Sequence, residues 1–318
     1  MRKSWMKWSY LTILALASCQ QRDLSEQVLT GNLALEIQAS IAGETLSRTT
    51  TQQDGHTVFA QGDKIGFFMP EESTPALWTL GESSWQPSAS LFWPDQKNDY
   101  DFCAFYPYTE DAERTNVPMP DLSTQDGKLD NIGKCDFLVA EKTCNYQTNT
   151  GKVSFTNDAA FKHVYSLILV TLVKNEKDAE TTLKTATFEG KDILSKHTYN
   201  FTEKQMQPVV ESPEGNTLLV DRSSEKTVIP QEGYSIAVLL NPTEEGGTLK
   251  FSVTYERDGI AYQAYTEAMK GHLVGGNCYK YKVKIEKESL VIEGSEISDW
   301  QTDGETEDIT VNDVPQEK

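Results

Sequence analysis

The residue with the clearest chemistry is Cys19, which closes a segment that reads LASC at positions 16–19. Basic residues at positions 2, 3 and 7 precede a short apolar run, and small side chains stand directly before the cysteine. This is the pattern of a lipoprotein signal, in which the thiol is the nucleophile that takes a diacylglyceryl group. The apolar run is too short to span a bilayer, which disfavours the alternative of an uncleaved signal anchor. We therefore predict a signal peptide over residues 1–18 and acyl chains, palmitate among them, on Cys19.

Lipidation would tether the protein to a membrane without embedding it, and more than one chain makes the tether durable. Gln20 rather than Asp follows the cysteine, which favours the outer membrane, and residues 19–31 form a polar spacer. The prediction is an outer-membrane lipoprotein on the cell surface.

Other reactive side chains form no recognisable site. The remaining cysteines lack zinc-ligand spacing, and the histidines share no ligand spacing. There is no phosphate-binding loop and no nucleophile elbow. We predict no catalytic residue, no metal and no cofactor, hence no enzyme, and expect His163 to be a packed histidine. A disulfide between Cys135 and Cys144 stays open at this point, since an exported protein permits one. The cysteines after the signal are Cys103, Cys135, Cys144 and Cys278.

Three tryptophans offer an alternative function. Trp78, Trp85 and Trp93 lie close together among Gly, Ser and Pro. Exposed indoles stack on sugar rings, so a glycan-binding surface lipoprotein is the competing hypothesis. Burial of these indoles in a closed cluster would remove the reason for it.

The charge excludes another class of function. The chain has 318 residues, with 29 Lys+Arg, 48 Asp+Glu and a formal net charge of −19. Loss of the three basic residues of the signal leaves 26 basic against 48 acidic residues, a net charge of −22. Such an acidic surface repels phosphate backbones, so we expect no nucleic-acid partner. The length allows two domains, each able to bury its own core.

Apolar residues alternate with a period of two along most of the mature chain, as in half-buried strands. The pattern is clear over 33–41, 249–255 and 279–285, whereas 166–173 is apolar on both faces, as in a central strand. Asp258-Gly259 predicts a tight hairpin turn. Helix signals are weak, and short strands with frequent turns indicate β-sandwiches. We predict an all-β protein with one sandwich over 32–155, another over 156–300, and an acidic tail over 301–318.

Eight local patterns occur in a fixed order behind the signal. The first four are Arg48-Thr49-Thr50, GDKIGFF at 62–68, YDFCAFYPY at 100–108 and DFLVA at 136–140. The last four are FKH at 161–163, VIPQ at 228–231, GGNCYKY at 275–281 and ISDW at 297–300. In this order they resemble the fimbrillin family of Bacteroides-type bacteria, the lipoprotein pilins and adhesins of type V pili. The resemblance covers essentially the whole mature chain.

The resemblance implies two transthyretin-like β-sandwich domains in tandem and assembly by strand exchange. In that scheme an arginine-specific protease removes the N-terminal strand, and a neighbouring subunit fills the groove with its C-terminal segment. The bond to be cut would be Arg48–Thr49, since Arg48 alone among the arginines follows the first strand directly. The removable strand would bury Leu33, Leu35, Ile37 and Ile41.

The candidate donor lies in residues 289–312, with the acidic tail as a possible extension. Its expected anchors in a neighbour's groove are Leu290, Ile292, Ile297 and Trp300. The alternative is that 289–300 is simply the last strand of the second sandwich. The partners implied are other pilin subunits, in a homo- or heteropolymer, and a host or bacterial surface ligand. If Arg48 is not cut, the protein could instead be the anchor of the pilus.

Overall fold

The computed structural model describes residues 33–42, 57–209 and 216–300, together with the backbone of a short strand at 307–308. In these ranges nearly all regular structure is β-strand; the one α-helix there, α1, spans Tyr146–Asn149, and short 3-10 helices span Leu122–Thr124, Leu129–Lys134 and Asn157–Ala159. The predicted all-β class is therefore confirmed. No helix in the described ranges is long and apolar enough to cross a membrane.

The first half of the described chain contains nine strands. Six of them form one sheet in the order β4-β3-β2-β5-β7-β9, while β1 and β8 form a separate parallel pair. The strands are β1 (Glu36–Ala39), β2 (Lys64–Phe68), β3 (Ala76–Leu80), β4 (Trp85–Pro87), β5 (Tyr100–Tyr106), β6 (Val117–Pro118), β7 (Leu138–Cys144), β8 (Lys152–Phe155) and β9 (Lys162–His163).

The middle strands of the six-stranded sheet are buried on both faces. In β2, Ile65 and Phe67 belong to a core shared with β1 and β8, whereas Phe68 belongs to a larger core shared with the second half. The central strand β5 does the same, with Phe102 in the first core and Phe105 in the second. These two strands therefore position residues in two cores at once.

The second half supplies twelve strands, ten of which form one large sheet. Its main order is β14-β11-β17-β18-β20-β19-β10-β16, with β15 beside β11 and β21 beside β20. The strands are β10 (Ser166–Val173), β11 (Thr181–Glu189), β12 (His197–Asn200), β13 (Gln205–Pro208), β14 (Thr217–Asp221), β15 (Thr227–Val228), β16 (Tyr234–Leu240), β17 (Thr248–Arg257), β18 (Ile260–Lys270), β19 (Asn277–Glu286), β20 (Ser289–Asp299) and β21 (Glu307–Asp308).

The large sheet curls over on itself between β18 and β20. These two strands pair at one register only, Tyr265 with Ser289, while their other neighbours are paired along most of their length. The inward side chains of both arms pack in a single core. The hairpin between β17 and β18 has the turn that the sequence predicts, because Asp258 and Gly259 both take positive φ, 52° and 74°.

A small third sheet ties the two halves together. β6 of the first half pairs with β12, which in turn pairs with β13. The predicted domain boundary near residue 155 stays a prediction. What the structure gives is two hydrophobic cores, a smaller one under β1 and a larger one that both halves line.

Candidate functional site

The first strand, defined here as residues 33–42 with β1 at its centre, lies between two other backbones and is hydrogen-bonded to both. On one side its partner is the short extended segment 91–93. The amide of Leu35 donates to the carbonyl of Leu91 at 2.9 Å, and the amide of Trp93 donates to the carbonyl of Leu33 at 2.9 Å. The sequence suggests only a sugar-stacking role for Trp93, and no periodic signal in 91–93 places this segment beside the first strand.

On its other side the first strand pairs in parallel with β8, Ile37 standing opposite Val153. Beyond β1, the amide of Ala42 donates to the carbonyl of Phe161 at 2.8 Å, and the amide of Phe161 donates to the carbonyl of Ser40 at 2.9 Å. In the sequence, Phe161 stands out only as the first residue of the FKH pattern at 161–163. It is in fact a flank of the site.

The side chains of the first strand alternate as predicted. Leu35, Ile37 and Ile41 are 5%, 5% and 2% exposed, and Leu33 and Ala39 are half-buried against the same core. The residues between them point outward or are partly covered. The strand therefore fills five alternate positions along one groove, defined here as the β1 groove.

Aromatic rings form the floor of the β1 groove. Phe102 stacks on Phe67, with ring centroids 5.5 Å apart, and contacts Trp93 edge-on at 5.0 Å. The indole nitrogen of Trp93 donates to the carbonyl of Gly151 at 2.9 Å, and the same carbonyl accepts the amide of Glu36 at 3.3 Å. The remaining buried residues of this core are Ile65, Trp78, Trp85, Ala104, Leu138, Ala140, Cys144, Val153, Phe155 and Phe161.

Removal of the first strand would leave backbone hydrogen-bonding groups without partners and would expose aromatic side chains. The backbone groups of 91–93, β8 and Phe161 would lose their partners, and an unpaired buried polar group costs about 1–3 kcal/mol. The aromatic floor would be exposed at roughly 25 cal/mol per Å² of apolar surface. The chemistry that such a groove can perform is recognition of an extended chain with apolar residues at alternate positions.

Several predicted site residues lie outside the described ranges, namely the lipidation residue Cys19 and the cleavage residues Arg48 and Thr49. Their roles stay predictions.

The proposed donor anchors lie on β20 and at the residue after it. Leu290 and Trp300 are 5% and 2% exposed in the larger core, and Ile292 and Ile297 pack partly against it. β20 pairs with β19 from Ser289 to Asp299, with one bulge. The description of 289–300 as a strand of this chain's own sheet fits these contacts. The role of these residues in a neighbour's groove stays a prediction.

A buried polar pair seats the end of β20. A 2.7 Å hydrogen bond joins Nδ1 of His163 to Oδ2 of Asp136, and both side chains are 1% exposed. The imidazole stacks on the indole of Trp300 with centroids 3.5 Å apart and planes at 8°. His163 is thus a packed residue, as expected. Its two partners were missed because all three residues are far apart in sequence.

Cys103, Cys135 and Cys144 are thiols. Cys135 and Cys144 form no disulfide with each other, which answers the open question of such a bond in the negative for this structure. Desolvation by burial raises the pKa of Cys103 and of Cys144 to about 11, so both are protonated at neutral pH. In the described ranges no three His, Cys, Asp or Glu residues come together as a metal site.

The tryptophans do not form a sugar-binding surface. Trp78, Trp85 and Trp93 are 1%, 7% and 3% exposed and belong to the core of the β1 groove. A buried indole offers no face to a pyranose ring. The glycan-binding hypothesis therefore loses the feature that motivated it, because the Gly, Ser and Pro residues around these indoles mark turns between short strands.

The fold and the site together define a class of protein: an all-β protein whose first strand completes a core with an aromatic floor. Residues 47–300 match the family described as Fimbrillin-like, and the chain belongs to that family. The match begins next to Arg48 and leaves the first strand outside it. The family points to a structural rather than an enzymatic protein.

Individual relatives agree with the family. A candidate fimbrium subunit of Bacteroides uniformis, Fim1C, is 22% identical over 322 residues, which cover 94% of this chain and 96% of that protein. A crystal structure of a candidate cell adhesion protein from Bacteroides uniformis is similar with a TM-score of 0.58 and 20% identity, covering 85% of this chain and 99% of the other. A Bacteroides ovatus cell adhesion candidate gives a TM-score of 0.57 at 14% identity, covering 86% and 100%. At these identities the structures support the fold alone.

Proposed function

We propose that this chain is a structural subunit of a cell-surface pilus and that the β1 groove is its assembly site. An arginine-specific protease cuts the Arg48–Thr49 bond, the first strand leaves, and an extended strand of a neighbouring subunit takes its place. The observation that carries the proposal is the position of the first strand, which is hydrogen-bonded on both sides and buried at alternate residues. Any replacement must supply the same backbone pairing, which a strand of another subunit can do.

The three arginines in the described ranges are held within the fold, which disfavours cutting at any of them. Arg222 is 4% exposed and donates to a backbone carbonyl. Arg257 forms a 3.0 Å ion pair with Asp178, and its side chain is 15% exposed. Arg114 is half-buried with its guanidinium over the ring of Phe68. A protease that needs a free arginine in an extended loop would find these three held within the fold.

The wider architecture in this proposal follows the family resemblance. In it, the two halves, divided near residue 155, are two transthyretin-like sandwiches in tandem. The lipid on Cys19 holds the subunit at the outer membrane until assembly. The family and the relative described as a fimbrium subunit support a location at the cell surface.

Replacement of Arg48 by Lys tests the processing step. An arginine-specific protease does not cut after Lys, and the substitution keeps the positive charge at position 48. In cells of the source organism we expect the R48K subunit to keep residues 19–48 and to be absent from high-mass surface polymers. The matched control is R22K, which alters an arginine on the far side of the first strand and should assemble like the wild type. Normal incorporation of R48K with its N-terminal segment intact would overturn the proposal.

A further inference from the structure

We infer that the strand that fills the β1 groove comes from a different chain, one with apolar residues at five successive alternate positions, and not from residues 289–318 of a second copy. This inference rests on the proposed function. It names the partner by the pattern that the groove requires.

The groove sets the requirement through its present occupant. The first strand places Leu33, Leu35, Ile37, Ala39 and Ile41 along one core, and three of these five are almost fully buried. Because the side-chain period of a strand is two, a slip by one residue would turn the whole apolar set away from the floor. A replacement therefore needs the same alternation over about the same length.

Residues 289–318 do not contain this alternation. On the even positions Leu290 and Ile292 are followed by Gly294 and Glu296, so the apolar series stops after two residues. On the odd positions the longest series is Ile309 and Val311. Placed in the groove, any register of this segment would set a glycine or a charged or polar residue against the aromatic floor. A buried charge or unpaired polar group is strongly unfavourable there.

Residues 289–300 of this segment already pair and pack within their own fold. β20 pairs with β19 over its full length, and the amide of Trp300 donates to the carbonyl of Gly276 at 2.8 Å. Leaving this sheet would expose Leu290 and Trp300, which are 5% and 2% exposed now.

Charges on the outer face fasten β20 as well. Lys282 and Lys284 of β19 both lie 3.4 Å from Glu293, and Lys280 lies 3.4 Å from Glu296. Each exposed pair contributes little alone, but the row also fixes the register of the two strands. β20 is thus held in its own sheet by contacts on both faces, whereas its pattern of apolar residues does not fit the β1 groove.

A strand-replacement experiment tests the inference on the whole mature chain. The lipid-free protein is cut between residues 48 and 49, either by an arginine-specific protease or at a protease site placed in 43–56. It is then unfolded in urea and refolded with an excess of one labelled peptide. The peptides are residues 32–43 of the first strand, residues 288–301, residues 304–316, and a 32–43 peptide with Asp at positions 35 and 37. The readout is labelled peptide retained by the folded protein on gel filtration.

We expect the 32–43 peptide to be retained about tenfold or more above 288–301, 304–316 and the double-Asp peptide. Retention of 288–301 or 304–316 equal to that of 32–43 would overturn the inference and leave the proposed function standing. No retention of 32–43 itself would show that the groove does not accept a strand in trans, which would overturn the proposed function and the inference together.

Discussion

At the scale of single residues, the side chains of the first strand carry the account, because each buried one fills a defined part of the β1 groove. Ile37 is 5% exposed, while its neighbour Gln38 points outward. Their alternation could be read from the sequence, since it depends only on the strand period. The flanks formed by Trp93 and Phe161 could not, because they come from segments that reach the strand only through tertiary folding.

Replacement of Ile37 by Ala should destabilise the protein by about 2–4 kcal/mol, through lost burial and the cavity left in a close-packed aromatic core. Replacement of Gln38 by Ala is the matched control on the outer face and should change stability by less than about 0.5 kcal/mol. Urea unfolding followed by tryptophan fluorescence measures both. Equal effects of the two substitutions would contradict the assigned burial.

The thiol of Cys103 gives a pH-dependent prediction. Desolvation raises its pKa to about 11 from an ordinary value of 9.0, with the Arg114 guanidinium opposing the shift. The folded state therefore holds the proton more tightly than the unfolded state, so the contribution of this thiol is fully present below pH 9 and is lost as the pH rises toward 11.

Between pH 8 and pH 10, under reducing conditions, the free energy of unfolding of the wild type should fall by about 1 kcal/mol more than that of C103A. Urea titrations of the two proteins at several pH values give the difference. Parallel pH profiles would show that Cys103 is not desolvated as the fold places it.

At the scale of elements, the exposed edge of β16 is closed by a side chain from the first half. The amide nitrogen of Gln125 donates to the carbonyl of Leu239 at 2.8 Å, and its oxygen accepts the amide of Leu239 at 2.6 Å. The amide of Ala237 donates to the carbonyl of Gly127 at 3.0 Å. Segment 125–127 thus takes the place of a neighbouring strand and protects an edge that would otherwise be open to pairing.

Close approach makes Gly127 necessary in that segment. Its φ is +71°, and a Cβ would lie 2.7 Å from a methyl group of Val220. G127A should therefore destabilise the protein by about 1–3 kcal/mol beyond the backbone strain alone. The matched control is G246A, where φ is +83° and nothing lies within 4 Å of a Cβ, so only the strain of about 1 kcal/mol applies. Equal losses of stability in urea titrations would mean that segment 125–127 is not packed against β14 and β16.

The elements differ in how far the sequence predicts them. The first strand and the β17–β18 hairpin follow from local alternation and from the turn at Asp258-Gly259. β5 shows where local reading stops. Its pattern marks Phe102 and its alternates as buried, but Phe105 on the opposite face is also fully buried. That face packs against the core of the second half, and contacts over such sequence distances leave no periodic signal.

At the scale of the whole molecule, the first strand and the C-terminal strand β20 belong to different hydrophobic cores. The β1 groove involves the smaller core, whereas β20, Trp300 and the Asp136–His163 pair belong to or contact the larger one. Replacement of the first strand would therefore leave the larger core in place. The formal net charge of −19 makes copies of the chain repel each other, so the proposed assembly would rely on the specific contacts within the groove.

A reversible tether on the first strand tests the central claim most directly. Gln38 and Ser154 are register partners in the β1–β8 pair, and the hydroxyl of Ser154 donates to the side-chain oxygen of Gln38 at 3.4 Å. Neighbouring positions of this kind suit a disulfide. In Q38C/S154C the bond would hold the first strand in its groove even after the Arg48–Thr49 bond is cut, and reduction would free it.

The quantity to measure is the fraction of this subunit in surface polymers of the source cell, before and after a reductant, with Q38C alone as the control. We predict that the oxidised double variant stays out of the polymer and that reduction restores its incorporation to the level of Q38C. Incorporation of the oxidised protein at the wild-type level, with the disulfide intact, would show that the first strand does not leave the groove during assembly and would contradict the account.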